Sequence, residues 1–139
     1  MAQVSLSQEL QASAEEVWEL IGGFNSLPTW HPAVEKSKIE GEGEGQVRTL
    51  DLTGGATIRE RLDRTDEDAR SYTYSILSGP LPVADYVATL SVREAGDGAC
   101  VVEWSSEFNP DGLPEAAAVE IIESVYQAGF VGLTEKFGE

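Results

Sequence analysis

The sequence predicts an α+β domain in which a strongly curved, seven-stranded antiparallel sheet wraps one long C-terminal helix. Two short helices follow the first strand. Three observations carry this expectation: the helical periodicity of residues 113–137, the run of short alternating segments between Val34 and Asn109, and a change of period just after the first strand.

Val4 to Gln11 alternates as a strand does, with Val4, Leu6 and Leu10 of one parity and Ser5, Ser7 and Glu9 of the other. The period then changes. Ser13-Ala14-Glu15-Glu16 has the spacing of a capping box, and Val17, Leu20 and Ile21 follow at helical intervals up to Gly22-Gly23. Asn25 is placed to cap a second short helix that runs to Trp30 and ends at His31-Pro32, because the residue before a proline is pushed toward extended geometry.

Six further strands are expected at Val34–Glu40, Gln46–Leu52, Thr57–Thr65, Ser71–Leu77, Asp85–Arg93 and Ala99–Asn109, each separated from the next by a short turn-like break. Connections this short favour antiparallel pairing of neighbours. In the closing segment, Val119, Ile122, Tyr126, Phe130, Leu133 and Phe137 share one helical sector, and Ala118, Ile121, Val125, Ala128 and Gly132 share the next. Glu120, Glu123, Gln127 and Thr134 fill the opposite side, so Pro114–Phe137 reads as an amphipathic helix roughly 35 Å long at about 1.5 Å per residue. So wide an apolar arc needs a concave partner, which the curved sheet supplies. Gly129 and Gly132 each cost about 1 kcal/mol relative to alanine in a helix and suggest close backbone approach or open space.

At 139 residues the chain is expected to form one domain, 1–139. Nine basic residues stand against 25 acidic ones, a net charge of −16 that would repel a phosphate backbone or an anionic membrane surface; no nucleic-acid partner is expected. The bland reading of the acidity is solubility, and the alternative is a basic protein partner. Cys100 is the only cysteine, which excludes an intramolecular disulfide and a thiolate metal cluster. The start lacks a basic region and apolar core of the signal-peptide kind, and no run approaches the roughly 18 apolar residues of a membrane span, so a cytoplasmic location is expected.

Strand parity indicates where chemistry could reside. Arg48 shares its parity with Leu50 and Leu52, and Glu60 shares its parity with Ile58 and Leu62, so one base and one acid point inward. Folding the two strands about Thr53-Gly54-Gly55 sets Arg48 opposite Glu60 or one diagonal step away, and an unpaired inward charge would be costly. The pair is expected to meet directly or through water. It could lock strand register only, or form a polar floor that orients a ligand's carbonyl or carboxylate in an apolar pocket. Tyr72, Tyr74, Tyr86, Trp104, Phe108, Tyr126 and Phe130 fall on inward faces, where they could line a cavity or fill a solid core. His31, the only histidine, follows Trp30 at the end of the second short helix; it could close the helix end or act as general acid or base. No nucleophile elbow, phosphate-binding glycine loop, H-E-x-x-H or dinucleotide fingerprint is present, and no metal or cofactor is implied.

The order strand, two short helices, six strands, long helix resembles the helix-grip fold of the START-like (SRPBCC) superfamily, which includes birch-allergen-type proteins, polyketide cyclase/dehydrase-type proteins and plant abscisic acid receptors. The likeness spans the chain and is carried by Val17-Trp18-Glu19-Leu20-Ile21, Trp30-His31-Pro32, Val47-Arg48-Thr49-Leu50, Glu60-Arg61-Leu62 and Gly79-Pro80-Leu81-Pro82-Val83-Ala84-Asp85-Tyr86. By this resemblance Glu60 matches a pocket-lining glutamate of the receptors, and Tyr86 their pocket tyrosine. The lysine that anchors the hormone's carboxylate corresponds to Glu35, of opposite charge, and Pro80-Leu81-Pro82 lacks the receptors' His-Arg pair, so abscisic acid recognition is not expected.

The leading functional expectation is a non-catalytic binder or carrier of an apolar small molecule: a lipid, a polyketide-like ring or an isoprenoid. Arg48 and Glu60 would set polarity, and Trp30, Leu50, Tyr74, Tyr86, Trp104, Phe108, Tyr126 and Phe130 would line the pocket, with loops 53–56 and 79–84 at its mouth. One alternative is a cyclase/dehydratase-type enzyme using Glu60 as acid or base, with Arg48 stabilising an enolate-like oxygen and His31 or Tyr86 assisting. The other is a protein-interaction module, which a large exposed apolar patch beside the mouth would favour.

Overall fold

The fold is described by a computed structural model covering residues 2–138. Its elements run β1 (Ala2–Leu10), α1 (Ala14–Ile21), α2 (Leu27–Trp30), β2 (Val34–Glu40), β3 (Val47–Leu52), β4 (Thr57–Asp66), β5 (Ser71–Ser78), β6 (Val83–Glu94), β7 (Cys100–Pro110) and α3 (Glu115–Phe137). The strands form one antiparallel sheet in the order β1-β7-β6-β5-β4-β3-β2: β2 to β7 meander, and β1 closes onto β7. This is the helix-grip architecture.

The local signals act largely as expected. Ser13 caps α1, its Oγ accepting the Glu16 N–H at 3.1 Å and donating to the Glu16 carboxylate at 3.3 Å. The indole N–H of Trp18 donates to Glu67 at 2.6 Å, pinning α1 to the β4–β5 turn. Asn25 does not cap α2. That position falls to Ser26, whose backbone is helical and whose side chain instead donates to the Gly23 carbonyl at 2.7 Å. Pro114 stands at the N-cap of α3 rather than in its first turn, with extended ψ of 154°.

Curvature comes from irregularities in the ladder. Register shifts occur at Val34/Lys36 in β2, at Leu62/Arg64 in β4, between Ile76 and Ser78 in β5 (opposite Arg59/Glu60), and at Ala84/Val87 in β6. Each local bulge bends its strand and increases its twist. The concave face receives α3, which packs against β1 and β7 and touches α2. Ala118, Ile122, Tyr126, Gly129, Phe130, Gly132 and Leu133 are its buried residues, while Val119, Ile121, Val125, Ala128 and Phe137 are half-buried. Fully burying a large aliphatic or aromatic side chain contributes about 1.5–3 kcal/mol. Repeated along α3, this outweighs the cost of its two internal glycines.

By length and composition alone α3 could cross a membrane, since it is 23 residues long with a window of mean hydropathy 1.2. Glu120, Glu123 and Gln127 interrupt it, so it is not a continuous apolar run. Its buried stripe against β1 and β7 marks it as the core helix of this domain.

The two glycines mark close approach. A Cβ on Gly129 would meet Trp104 Cζ3 at 2.8 Å, and Trp30 Cζ3 and His31 Cδ2 at 3.0 Å. On Gly132 it would overlap the Trp30 carbonyl oxygen outright. The Trp30-His31 segment thus lies directly on α3. Gly132→Ala is expected to destabilise the fold by about 2 kcal/mol or more in urea denaturation. Gly23→Ala, with no neighbour nearer than 3.7 Å, should stay within about 0.5 kcal/mol.

Candidate functional site

Because α3 lies over β1 and β7, the inward side chains of β3, β4 and β5 are left partly uncovered, and a cavity of about 320 Å³ opens there. Its size falls at the lower end of small-molecule sites, which span about 300–1,000 Å³. Leu50, Ile58, Tyr74, Ile76, Trp104 and Ile122 supply most of an apolar wall, with Tyr86 beside them. The exposed Ser124 and the half-buried Val125 and Ala128 of α3 border it, together with Leu81, Leu52 and Ala33. The 79–84 loop therefore reaches the cavity through Leu81. No residue of the 53–56 turn lines it, although the Thr53 N–H donates to the carbonyl of the lining residue Ala33 at 3.0 Å.

Arg48 and Glu60 sit in this wall as direct cross-strand partners in the β3–β4 register. Nε and Nη2 of Arg48 both reach Glu60 Oε1 at 2.7 Å. Nη1 donates to the Phe24 carbonyl at 2.9 Å and approaches the Tyr72 hydroxyl at 3.5 Å. The guanidinium carbon lies 4.1 Å from the Phe24 ring centroid and 4.9 Å from that of Tyr74. The pair meets without an intervening water. Phe24, like the lining residues Ile76 and Ala33, is among the residues that sequence reasoning missed; Phe24 precedes α2 in an irregular segment, where neither a helical nor a strand period announces an inward side chain.

Burial works against both charges. It pulls the Arg48 guanidinium down, but the facing Glu60 carboxylate together with Tyr72 and Tyr74 more than reverses this and leaves it raised. Burial pushes the Glu60 carboxyl up against the pull of Arg48, and the net direction is also upward. The phenols of Tyr74 and Tyr86 are driven well above their ordinary range, mainly by burial, and Tyr126 is raised for the same reason. These phenols stay protonated. They form a chain in which Trp104 Nε1–H donates to the Tyr74 hydroxyl at 3.0 Å, Tyr74 lies 3.5 Å from the Tyr86 hydroxyl, and Tyr86 is hydrogen-bonded to Tyr126.

Of the residues expected to line the pocket, Arg48, Leu50, Glu60, Tyr74, Tyr86 and Trp104 do so, and His31 joins them. Trp30, Phe108, Tyr126 and Phe130 do not. Tyr126 stacks on Trp104 with centroids 4.3 Å apart, and Phe130 and Trp30 meet the same indole at 6.3 and 5.8 Å. Phe108 packs behind Tyr86 at 6.0 Å. Parity tells which face a strand residue takes, but not whether the helix covers it, and α3 covers this end of the sheet.

His31 has both ring nitrogens engaged: Nε2 lies 2.9 Å from the Val125 carbonyl, which can only accept, so Nε2 donates. Nδ1 accepts the Ala33 N–H at 3.2 Å. The network thus assigns a neutral Nε2–H tautomer. Burial lowers the His31 pKa, partly offset by the Val125 hydrogen bond, and Arg48 lowers it further. Neither nitrogen is available for proton transfer to a ligand.

Two outcomes follow. A depressed histidine adds stability that is complete above its unfolded value of 6.5 and is lost as the pH falls below it. The limiting slope is about 1.4 kcal/mol per pH unit. Denaturation midpoints should therefore drop on mild acidification, and His31→Gln should flatten that drop. Arg48→Met alone should cost about 3–5 kcal/mol in urea denaturation by leaving the Glu60 charge unpaired, whereas Arg48→Met with Glu60→Leu should recover most of the loss.

Comparisons with known proteins agree with this architecture. A family model described as polyketide cyclase / dehydrase and lipid transport matches residues 1–138. The solved structure of XoxI from Bacillus cereus superposes with a TM-score of 0.94 at 40% identity, covering 99% of this chain and 96% of that one. A Panax ginseng protein named Ribonuclease 1 is 30% identical over 114 residues, 76% of this chain and 74% of its own. Abscisic acid receptor PYL2 of Arabidopsis thaliana is 30% identical over 94 residues, 64% of this chain and half of the receptor's length. With nearly its whole length matched by the family model, the chain belongs to the polyketide cyclase/dehydrase and lipid transport family.

Proposed function

We propose that this protein binds an apolar small molecule, of lipid, polyketide-like or isoprenoid character, in the cavity between α3 and strands β3–β5. The observation that carries this reading is the composition of the wall: aliphatic and aromatic side chains on most sides, with polarity concentrated at Arg48–Glu60 and at the hydroxyls of Tyr74 and Tyr86. Apolar burial supplies affinity, and a few convergent polar groups supply orientation. The net charge of −16 weighs against a nucleic-acid substrate despite the name borne by the ginseng relative.

The cyclase/dehydratase alternative has one favourable observation, the upward displacement of the Glu60 carboxyl by burial. The two short contacts from Arg48 weigh against it, because a base bound in an ion pair gives up proton affinity. The interaction-module reading has less support. Of the exposed large apolar residues among those described, Leu77 and Val87 share one groove between β5 and β6, whereas Leu113 and Val131 belong to the β7–α3 connection and to α3.

Trp104 lines the cavity, so titration with an apolar fluorophore or a medium-chain lipid should change tryptophan emission in a saturable way and raise the melting temperature. Ile58→Trp, which fills the apolar wall, should abolish both responses while the protein stays folded by circular dichroism. Saturable binding retained in that variant would place the ligand elsewhere and overturn the reading.

A further inference from the structure

The ion pair in the cavity wall is asymmetric, and the asymmetry bears on which polar group a ligand carries. Both contacts from Arg48 fall on Glu60 Oε1. Among the described residues no donor is bonded to Oε2, although Glu60 is only 6% exposed and lines the cavity. The guanidinium, by contrast, is engaged on three sides, by Glu60, by the Phe24 carbonyl and by the Tyr72 hydroxyl, with the rings of Phe24 and Tyr74 over it. The wall therefore presents a carboxylate acceptor and no unneutralised cation.

From this we infer that the cavity selects an uncharged ligand whose polar end is a hydrogen-bond donor, such as an aliphatic or terpenoid alcohol or a phenol, seated on Glu60 Oε2, and that it rejects carboxylates. The inference rests on the cavity-binding reading above and names the ligand class for the same site. It departs from the expectation of a polar floor, formed by the pair, that orients a ligand's carbonyl or carboxylate. An incoming carboxylate would meet the lone pairs of Oε2 in a medium of low dielectric, and the Arg48 charge that could offset the repulsion is already neutralised. A hydroxyl places its proton on an acceptor that is otherwise unpaired, and a charged acceptor makes the stronger kind of hydrogen bond. Among the neighbouring phenols, Tyr74 already accepts from the Trp104 indole, and the Tyr74–Tyr86 and Tyr86–Tyr126 links take up two of the three hydroxyl protons.

The test is a matched set on the wild-type protein at neutral pH: a medium-chain alkanol, the alkanoate of the same chain length and the corresponding alkane, each titrated by displacement of a cavity-bound fluorophore. The alkanol is expected to bind about tenfold tighter than the alkane, the increment of one good hydrogen bond, and at least tenfold tighter than the alkanoate. Alkanoate binding equal to or tighter than alkanol binding overturns the donor preference while leaving the cavity reading intact. Failure of all three, the alkane included, overturns the cavity reading and the inference with it. Glu60→Gln supplies the converse: with Arg48 no longer neutralised, the gap between alkanol and alkanoate should close or invert. A variant that folds and keeps the wild-type ranking contradicts the assignment to Glu60; if the variant does not fold, the wild-type ranking decides alone.

Discussion

Two opposite charges held inside an apolar space form the constraint on which the rest of the site depends. Arg48 and Glu60 face each other across adjacent strands, and neither can be removed from the interior without turning its whole strand face outward. Once both are inside, each needs the other, because an unpaired charge in such surroundings costs several kcal/mol. Phe24 and Tyr72 complete the setting, the first with its carbonyl and ring and the second with its hydroxyl. The pair fixes the register of β3 on β4 and at the same time keeps a hydrogen-bonding surface in a wall that is otherwise greasy.

The division of the concave face follows from where α3 lies. Over β1 and β7 the helix is in tight contact, with Gly129 and Gly132 letting the Trp30-His31 segment settle onto its backbone. Trp104 stands at the border, stacked on Tyr126 on one side and lining the cavity on the other. Toward β3, β4 and β5 the helix offers Val125 and Ala128, which are too short to fill the hollow left by the bent sheet. His31 joins these two halves, bonded to Val125 on α3 and to Ala33 at the cavity rim. One side of the domain is a solid aromatic core, and the other is a container.

Much of this was legible in the sequence, for reasons that differ from residue to residue. The period of two in 47–52 and 57–66 put Arg48 and Glu60 on one face, and the short turn between them set the two opposite or one diagonal step apart; the register that makes the contact direct came from the structure. The helical period of 115–137 gave α3 its buried stripe, and helix-breaking glycines on that stripe pointed to close approach. What stayed hidden depended on tertiary placement. Phe24 lies in an irregular segment with no period to reveal it. Asn25 looked like a cap, but the backbone turns one residue later. Phe108 shares its inward parity, and Tyr126 and Phe130 their helical sector, with true lining residues; together with Trp30 they instead pack against Trp104 and Tyr86 in the contact between α3 and the sheet, which no local pattern encodes. The ladder irregularities that curve the sheet leave no signature in alternation either, and it is that curvature which separates a hollow from a packed core.

The most direct measurement is a crystal structure determined under xenon pressure, since xenon settles in apolar space that is not filled by side chains or ordered water. The expected result is xenon bounded by Leu50, Ile58, Tyr74 and Ile122, with Arg48 still in contact with Glu60. Side chains or ordered water occupying that space, or the two charges separated and turned to solvent, would contradict it.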